Sequence, residues 1–147
     1  MSQTVDFAQL VANAGDAVVV SDAEGLIVVW NGAAERMFGF TAAEAIGRSL
    51  DLITPERHRA RHWAGYDVTM KTGVTKYGHD LLRVPALHKD GRTLSIAFTV
   101  TLLTGAQGEV TGVAAIIRDE TRRFDEERQL RRRFAELEAQ HSRAKAL

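Results

Sequence analysis

The strongest constraint on the fold is a series of β-type segments cut by short turns. Asp80 to His88, Thr93 to Leu103 and Val110 to Arg118 are rich in Val, Ile, Leu and Thr, and Lys89-Asp90-Gly91-Arg92 and a Gly105-to-Glu109 segment separate them. Gly and Asp in such short links favour tight reversal, so three strands joined as hairpins follow. An upstream pair repeats the pattern: Ala17-Val18-Val19-Val20-Ser21 and Leu26-Ile27-Val28-Val29-Trp30 flank Asp22-Ala23-Glu24-Gly25. Five strands, with helix-compatible sequence between the second and third, predict an α+β domain: a five-stranded antiparallel sheet with helices packed on one face and a cavity between them. In the last β segment Val110, Val113, Ala115 and Ile117 alternate with Ala114 and Ile116, so both faces are apolar. An antiparallel sheet ordinarily needs one apolar face, and the second is expected to meet a partner helix.

The helical signals are local. Phe7, Leu10 and Val11 stand at helical spacing in residues 1–13, predicting a short amphipathic helix that packs on the domain or on a partner chain. Gly32 to Phe38 is helix-compatible and Gly39 stops it. Thr41-Ala42-Ala43-Glu44 is a capping box opening a second short helix, which Gly47 ends. Thr54-Pro55-Glu56-Arg57 reads as a cap, a first-turn proline and an acid, starting a helix that runs from Pro55 to about Thr72 before Gly73.

Composition narrows the function. With 147 residues, one core and an appendage are expected. Lys plus Arg and Asp plus Glu both total 19, so no net charge supplies the long-range field of a nucleic-acid binder. The absence of cysteine removes disulfides, thiolate catalysis, cysteine-ligated zinc and cysteinyl photochemistry. No apolar run approaches the roughly 20 residues of a membrane span, and the N-terminus lacks the order of a signal peptide. A soluble, cytoplasmic protein without membrane or nucleic-acid partners is the expectation.

The chain resembles a PAS domain over roughly Val11 to Thr121. The likeness rests on Gly15-Asp-Ala-Val-Val-Val-Ser-Asp-Ala-Glu-Gly25, on Asn31-Gly-Ala-Ala-Glu35 with Phe38-Gly39, and on Glu44-Ala-Ile-Gly47, Lys89-Asp-Gly91 and Arg118-Asp-Glu-Thr121 in that order. PAS domains share a fold and no single chemistry, so the resemblance implies sensing or dimerisation and leaves the ligand open. It divides the chain into an N-terminal helix (1–13), a PAS sensor domain (14–121) and a C-terminal helix (122–147). Independently of the family, Asp119 or Thr121 is suited to cap the last helix and to bond back toward the sheet, which would set the angle at which the helix leaves.

No Gly or Pro interrupts Arg122 to Lys145, and Phe124, Glu127, Leu130, Phe134, Leu137 and His141 trace a stripe near a 3.5-residue repeat. A parallel homodimer seam is the expectation; a helix folded back on its own domain and a frayed tail are the alternatives. The Arg131-Arg132-Arg133 cluster reads as a solvated helix face. No kinase, cyclase or DNA-binding segment follows, so output is expected through a separate signalling protein.

The clearest ligand signal is Glu56-Arg-His-Arg-Ala-Arg-His-Trp-Ala-Gly-Tyr66. His58 and His62 share a helical face, but the His-Glu-x-x-His pattern is absent and carboxylates to complete a zinc site are lacking. The segment is similar to the helix of haem-binding PAS oxygen sensors, and that resemblance places His62 on their proximal iron ligand. It implies haem b, with an apolar cavity lined by Met70, Leu82, Ile96, Phe98, Val100 and Ile116, and Arg61, Arg57 or Arg59 beside the propionates. The chain departs from the oxygen sensors at Leu82, which stands where they carry a distal arginine, with Asp80 at a second distal position. Leu82 has no hydrogen to donate to bound oxygen; His79 would serve only if the strand register slipped by one. A pocket that is empty or holds another small molecule, and a purely structural His62, remain open beside haem.

Photochemical flavin is excluded by the missing cysteine; non-covalent FAD, with Trp30, Asn31 or Trp63 as neighbours, is a minor alternative. Trp30 and Asn31 read more simply as the half-buried end of the second strand and the cap of the next helix. Catalysis is not expected: Ser95, His88 and Asp90 are close in sequence, but His88 and Asp90 surround an ordinary hairpin and should face solvent. The resulting expectation is a PAS sensory module that takes haem or a small ligand and signals through a dimeric C-terminal helix, the alternative being a ligand-free interaction and dimerisation scaffold.

Overall fold

The computed structural model describes residues 4–75 and 78–146. Helix α1 (Phe7–Asn13) precedes strands β1 (Ala17–Asp22) and β2 (Ile27–Trp30). Helices α2 (Gly32–Phe38) and α3 (Ala42–Ala45), a 3-10 turn at Leu50–Leu52 and helix α4 (Glu56–Thr72) follow. Strands β3 (Leu82–Leu87), β4 (Thr93–Thr104) and β5 (Val110–Asp119) lead into helix α5 (Thr121–Ala146). The five strands form one antiparallel sheet in the order β2-β1-β5-β4-β3. The first and last strands of the domain thus lie side by side at its centre.

Local chemistry sets the element ends. Thr41 and Glu44 close the capping box on α3 reciprocally, and Gly39 ends α2 in the left-handed conformation. The helix start at residue 54 differs from expectation. Thr54 donates its hydroxyl to the Leu50 carbonyl (2.8 Å), so it does not cap α4; Pro55 takes the N-cap position without a side-chain bond. Arg59 instead reaches back to the Thr54 and Asp51 carbonyls (3.0 and 3.2 Å) and ties the start of α4 to the preceding turn. Strand β3 begins at Leu82 rather than Asp80, because Gly78 (φ 56°) and His79 form a turn ahead of it.

The registers define two faces. On the inner face Leu82, Phe98, Ile117 and Ala17 stand in a row across β3, β4, β5 and β1, and Val100, Ala115, Val19 and Trp30 form the next row. Against these rows pack Ala33, Ala34, Phe38, Ala45 and Ile53, which with Ile27, Leu94 and Ile96 make the core. On the outer face Val18 and Ala97 are buried, while Leu103 and Ile116 are well exposed.

Asn31 is more than a helix cap. Its buried amide accepts from the Val18 and Ala34 N–H groups (2.9 and 3.0 Å) and donates to the Val11 and Asp16 carbonyls (2.9 and 3.1 Å). One side chain thereby joins α1, β1 and α2. Trp30 is fully in the core rather than half-buried, its indole N–H donating to the Phe40 carbonyl (2.9 Å).

Candidate functional site

Helix α4 crosses the inner face of the sheet and carries no fully buried residue. Polar bonds from two successive turns hold it. The Trp63 indole N–H donates to Asp51 (2.7 Å). One turn further, the Tyr66 hydroxyl donates to the Asp22 carbonyl (2.5 Å), which leaves it to accept from the Ser21 hydroxyl (2.9 Å). Both partners belong to the β1–β2 hairpin or the turn at 51, so α4 is strapped to the domain's first hairpin. Gly25 makes the approach feasible: it has φ 82°, and a Cβ there would overlap the Trp63 ring.

His62 sits inside this strap. Its ring lies 4.7 Å from Trp63, edge-on, and 5.8 Å from Tyr66. Its Nδ1 is buried and has no hydrogen-bond partner, an unusual state for a buried polar atom. Burial pushes the imidazole below its ordinary pKa, and the Asp51 carboxylate offsets only part of that. The ring is therefore held in the neutral form at neutral pH, with a nitrogen lone pair able to bind a metal centre. The same burial raises the Tyr66 phenol, the Ser21 bond opposing it and the nearby Asp22 and Glu24 adding to it.

The structure separates the expected lining residues. Leu82, Phe98 and Val100 lie on the inner face, half-buried, with Ile96 buried beside them, and Met70 is half-buried on α4. Ile116 does not belong with them. It pairs with Val18 and Thr99 on the outer face and is 42% exposed, while its neighbour Ile117 takes the inner position. Arg61 is exposed on α4, Arg57 donates to the His58 ring (3.2 Å), and Arg59 is engaged with backbone carbonyls. Among the described residues no group of three or more His, Cys, Asp or Glu side chains is placed to hold a metal ion. No register slip brings His79 inward: Leu82 faces Phe98 directly, and His79 and Asp80 are exposed ahead of the strand.

The His88 imidazole does not face solvent as expected. It lies against Gly39, where a Cβ would come within 2.7 Å of the ring, and it accepts from the Asp90 N–H (3.1 Å). Ser95 serves the exit of the last helix instead of joining His88 and Asp90. Its N–H donates to the Thr121 hydroxyl (3.0 Å) and its carbonyl accepts from the Glu120 N–H (2.8 Å). The Thr121 hydroxyl in turn donates to Asp119, which also accepts the Thr121 N–H (2.9 Å). Asp119 therefore closes the first turn of α5 while Thr121 pins it to β4.

Sequence reading passed over Tyr66, Asp51 and Ser21, and treated Trp63 only as a flavin neighbour. Their signal was present in part: Trp63 and Tyr66 are three apart, on adjoining turns beside His62. Their partners, 12 and 45 residues away, carry no such mark.

Residues 6–119 match the PAS fold, and the chain belongs to the PAS family of sensory domains. It is 38% identical over 86 residues to an uncharacterized protein of Azorhizobium caulinodans, covering 58% of this chain and 12% of that protein. It is 30% identical over 129 residues to the sensor protein FixL of Bradyrhizobium diazoefficiens, covering 85% of this chain and 24% of FixL. The chain thus spans about a quarter or less of the length of these curated relatives. The crystal structure of a PAS domain from Colwellia psychrerythraea superposes with a TM-score of 0.69 at 24% identity, covering 79% of this chain and 95% of that one, and shares the fold. Among the described residues no helix is long and apolar enough to cross a membrane.

Proposed function

We propose that this PAS module senses through haem held between α4 and the inner sheet face, with His62 as the axial ligand and α5 as the output. The observation that carries the reading is the buried, unpartnered Nδ1 of a neutral His62 imidazole on the helix that resembles that of haem-binding oxygen sensors. The donor set fits: an imidazole suits iron, and Leu82, Ile96, Phe98 and Val100 offer an apolar wall. Bound haem would supply an iron centre that takes a diatomic gas. The chain's own residues do the rest. Trp63 and Tyr66 hold α4, and hence the His62 ring, at a set distance from the β1–β2 hairpin. Leu82 keeps the sheet side of the site apolar and offers no hydrogen bond to a polar diatomic, which favours carbon monoxide or nitric oxide over oxygen.

Output follows the sheet. β1 accepts the Tyr66 strap and pairs with β5 along its whole length, and β5 ends at the Asp119–Thr121 anchor of α5. A shift of α4 against β1 therefore has a short path to the exit angle of α5. The test is an absorption spectrum of the purified chain titrated with haem. A sharp Soret band that His62→Ala removes, while circular dichroism stays unchanged, supports the reading. A folded chain that gains no such band, or whose band survives in His62→Ala, refutes it.

A further inference from the structure

Helix α4 is fastened unevenly along its length. In its first half Arg59 donates to the Thr54 and Asp51 carbonyls (3.0 and 3.2 Å), Trp63 donates to the Asp51 carboxylate (2.7 Å), and the Trp63 ring fills the space beside Gly25. Beyond Gly65 the fastening thins. Among the described residues, the Tyr66 hydroxyl makes the only side-chain hydrogen bonds from residues 66–72 to the rest of the domain. Val68 is 58% exposed, and the Thr72 hydroxyl turns back on its own helix to the Val68 carbonyl (2.8 Å), a bond that bends helices and slightly weakens them.

A glycine stands at each end of this loose half. Gly73 ends α4 in the left-handed conformation (φ 70°), a common helix stop. Gly65 has no such reason. It lies in the interior of a 17-residue helix, its φ is not positive, it is exposed, and a Cβ built on it would meet nothing within 4 Å. Neither backbone conformation nor packing asks for glycine there. Alanine would favour the helix about 2- to 5-fold, so α4 breaks most easily between Trp63 and Tyr66, at the boundary of its bound and loose halves. The loose half carries Met70 and covers Ser21, which meets the Tyr66 hydroxyl and is only 2% exposed. Breaks of this kind, at a few small residues, are where lids over binding sites hinge.

We propose that residues 66–72 form a lid on the inner-face site, hinged at Gly65 and Gly73 and latched by the Tyr66 hydroxyl, while residues 56–63 keep His62 in place. Admission of haem by this lid rests on the function proposed above; the hinge does not. Measurements on the full-length chain test both. In the ligand-free parent, amides of residues 66–72 should exchange faster than those of residues 59–63, because the lid opens more often than the whole helix. Ser21→Cys puts a single thiol beneath the lid, since the chain has no cysteine, and its reaction with DTNB reads opening directly. In that background Gly65→Ala should slow the reaction about 2- to 5-fold. Ala60→Gly, the opposite change at an exposed position of the bound half, should leave it unaltered. With hemin, Gly65→Ala should slow capture and release by the same factor at an unchanged Kd, because the lid alters access and not the contacts of the closed state. Equal exchange in the two halves, a thiol rate indifferent to Gly65→Ala, or one that Ala60→Gly quickens would overturn the hinge. Hemin rates indifferent to Gly65→Ala would overturn the lid's part in admission. A chain that takes up no hemin would instead refute the haem reading, with the hinge decided by exchange and by the thiol.

Discussion

Tyr66→Phe isolates the strap that holds α4, because it keeps the ring and removes only the hydroxyl. That hydroxyl makes two bonds, to the Asp22 carbonyl and from Ser21, both about 45 residues away in sequence. Each such bond contributes about 0.5–1.5 kcal/mol net, and Ser21 is buried, so the loss should total about 1–2 kcal/mol. Such a change multiplies the open population about 5- to 30-fold. Since α4 has no fully buried residue, the loss should first appear as opening of that helix rather than of the sheet. Amide hydrogen exchange across Glu56–Thr72 should therefore quicken by that factor, and the urea midpoint should fall with an unchanged slope. If exchange in α4 were unchanged while the midpoint fell, the bonds would be stabilising something other than α4. If neither changed, the strap would be a contact without energetic weight.

Acid should expose the burial of His62: its folded pKa lies below the ordinary value near 6.5, so below that pH the unfolded chain takes up a proton that the folded chain refuses. Stability then falls with pH by at most about 1.4 kcal/mol per unit from pH 6.5 down to the folded pKa, and a His62→Leu chain should show a flatter urea-midpoint profile there. Gly25→Ala should lower the thermal midpoint markedly and shift Trp63 fluorescence, as the added Cβ meets the indole and the residue must hold φ 82°; an unchanged emission maximum would mean that the ring does not rest there. Asp119→Ala should cost about 0.5–2 kcal/mol and raise exchange at Thr121 to Phe124 while leaving ligand affinity at α4 unaltered; a parent-like exchange rate would remove Asp119 from the anchor.

What could be read directly from the chain was what depends on neighbours three or four residues apart. The hairpin turns, the Thr41–Glu44 capping box, the left-handed stop at Gly39 and the long uninterrupted last helix are local chemistry, and they predicted the element order and the fold class. His62 was legible as a candidate for the same reason, through its spacing on one helix. The face of β5 was not, because both of its parities are apolar; only pairing with β1 and β4 sends Ile117 inward and Ile116 outward. Thr54 looked like a cap until the Leu50 carbonyl, brought near by the 3-10 turn, took its hydroxyl. His88 looked like a solvent-facing hairpin residue until α2 ended against it, leaving a glycine's worth of room. The strap of α4 belongs wholly to tertiary structure: Trp63 and Tyr66 find Asp51, Ser21 and Asp22 only when the helix lies across the first hairpin, and a hydrogen bond spanning 45 residues imposes no spacing that a sequence can display.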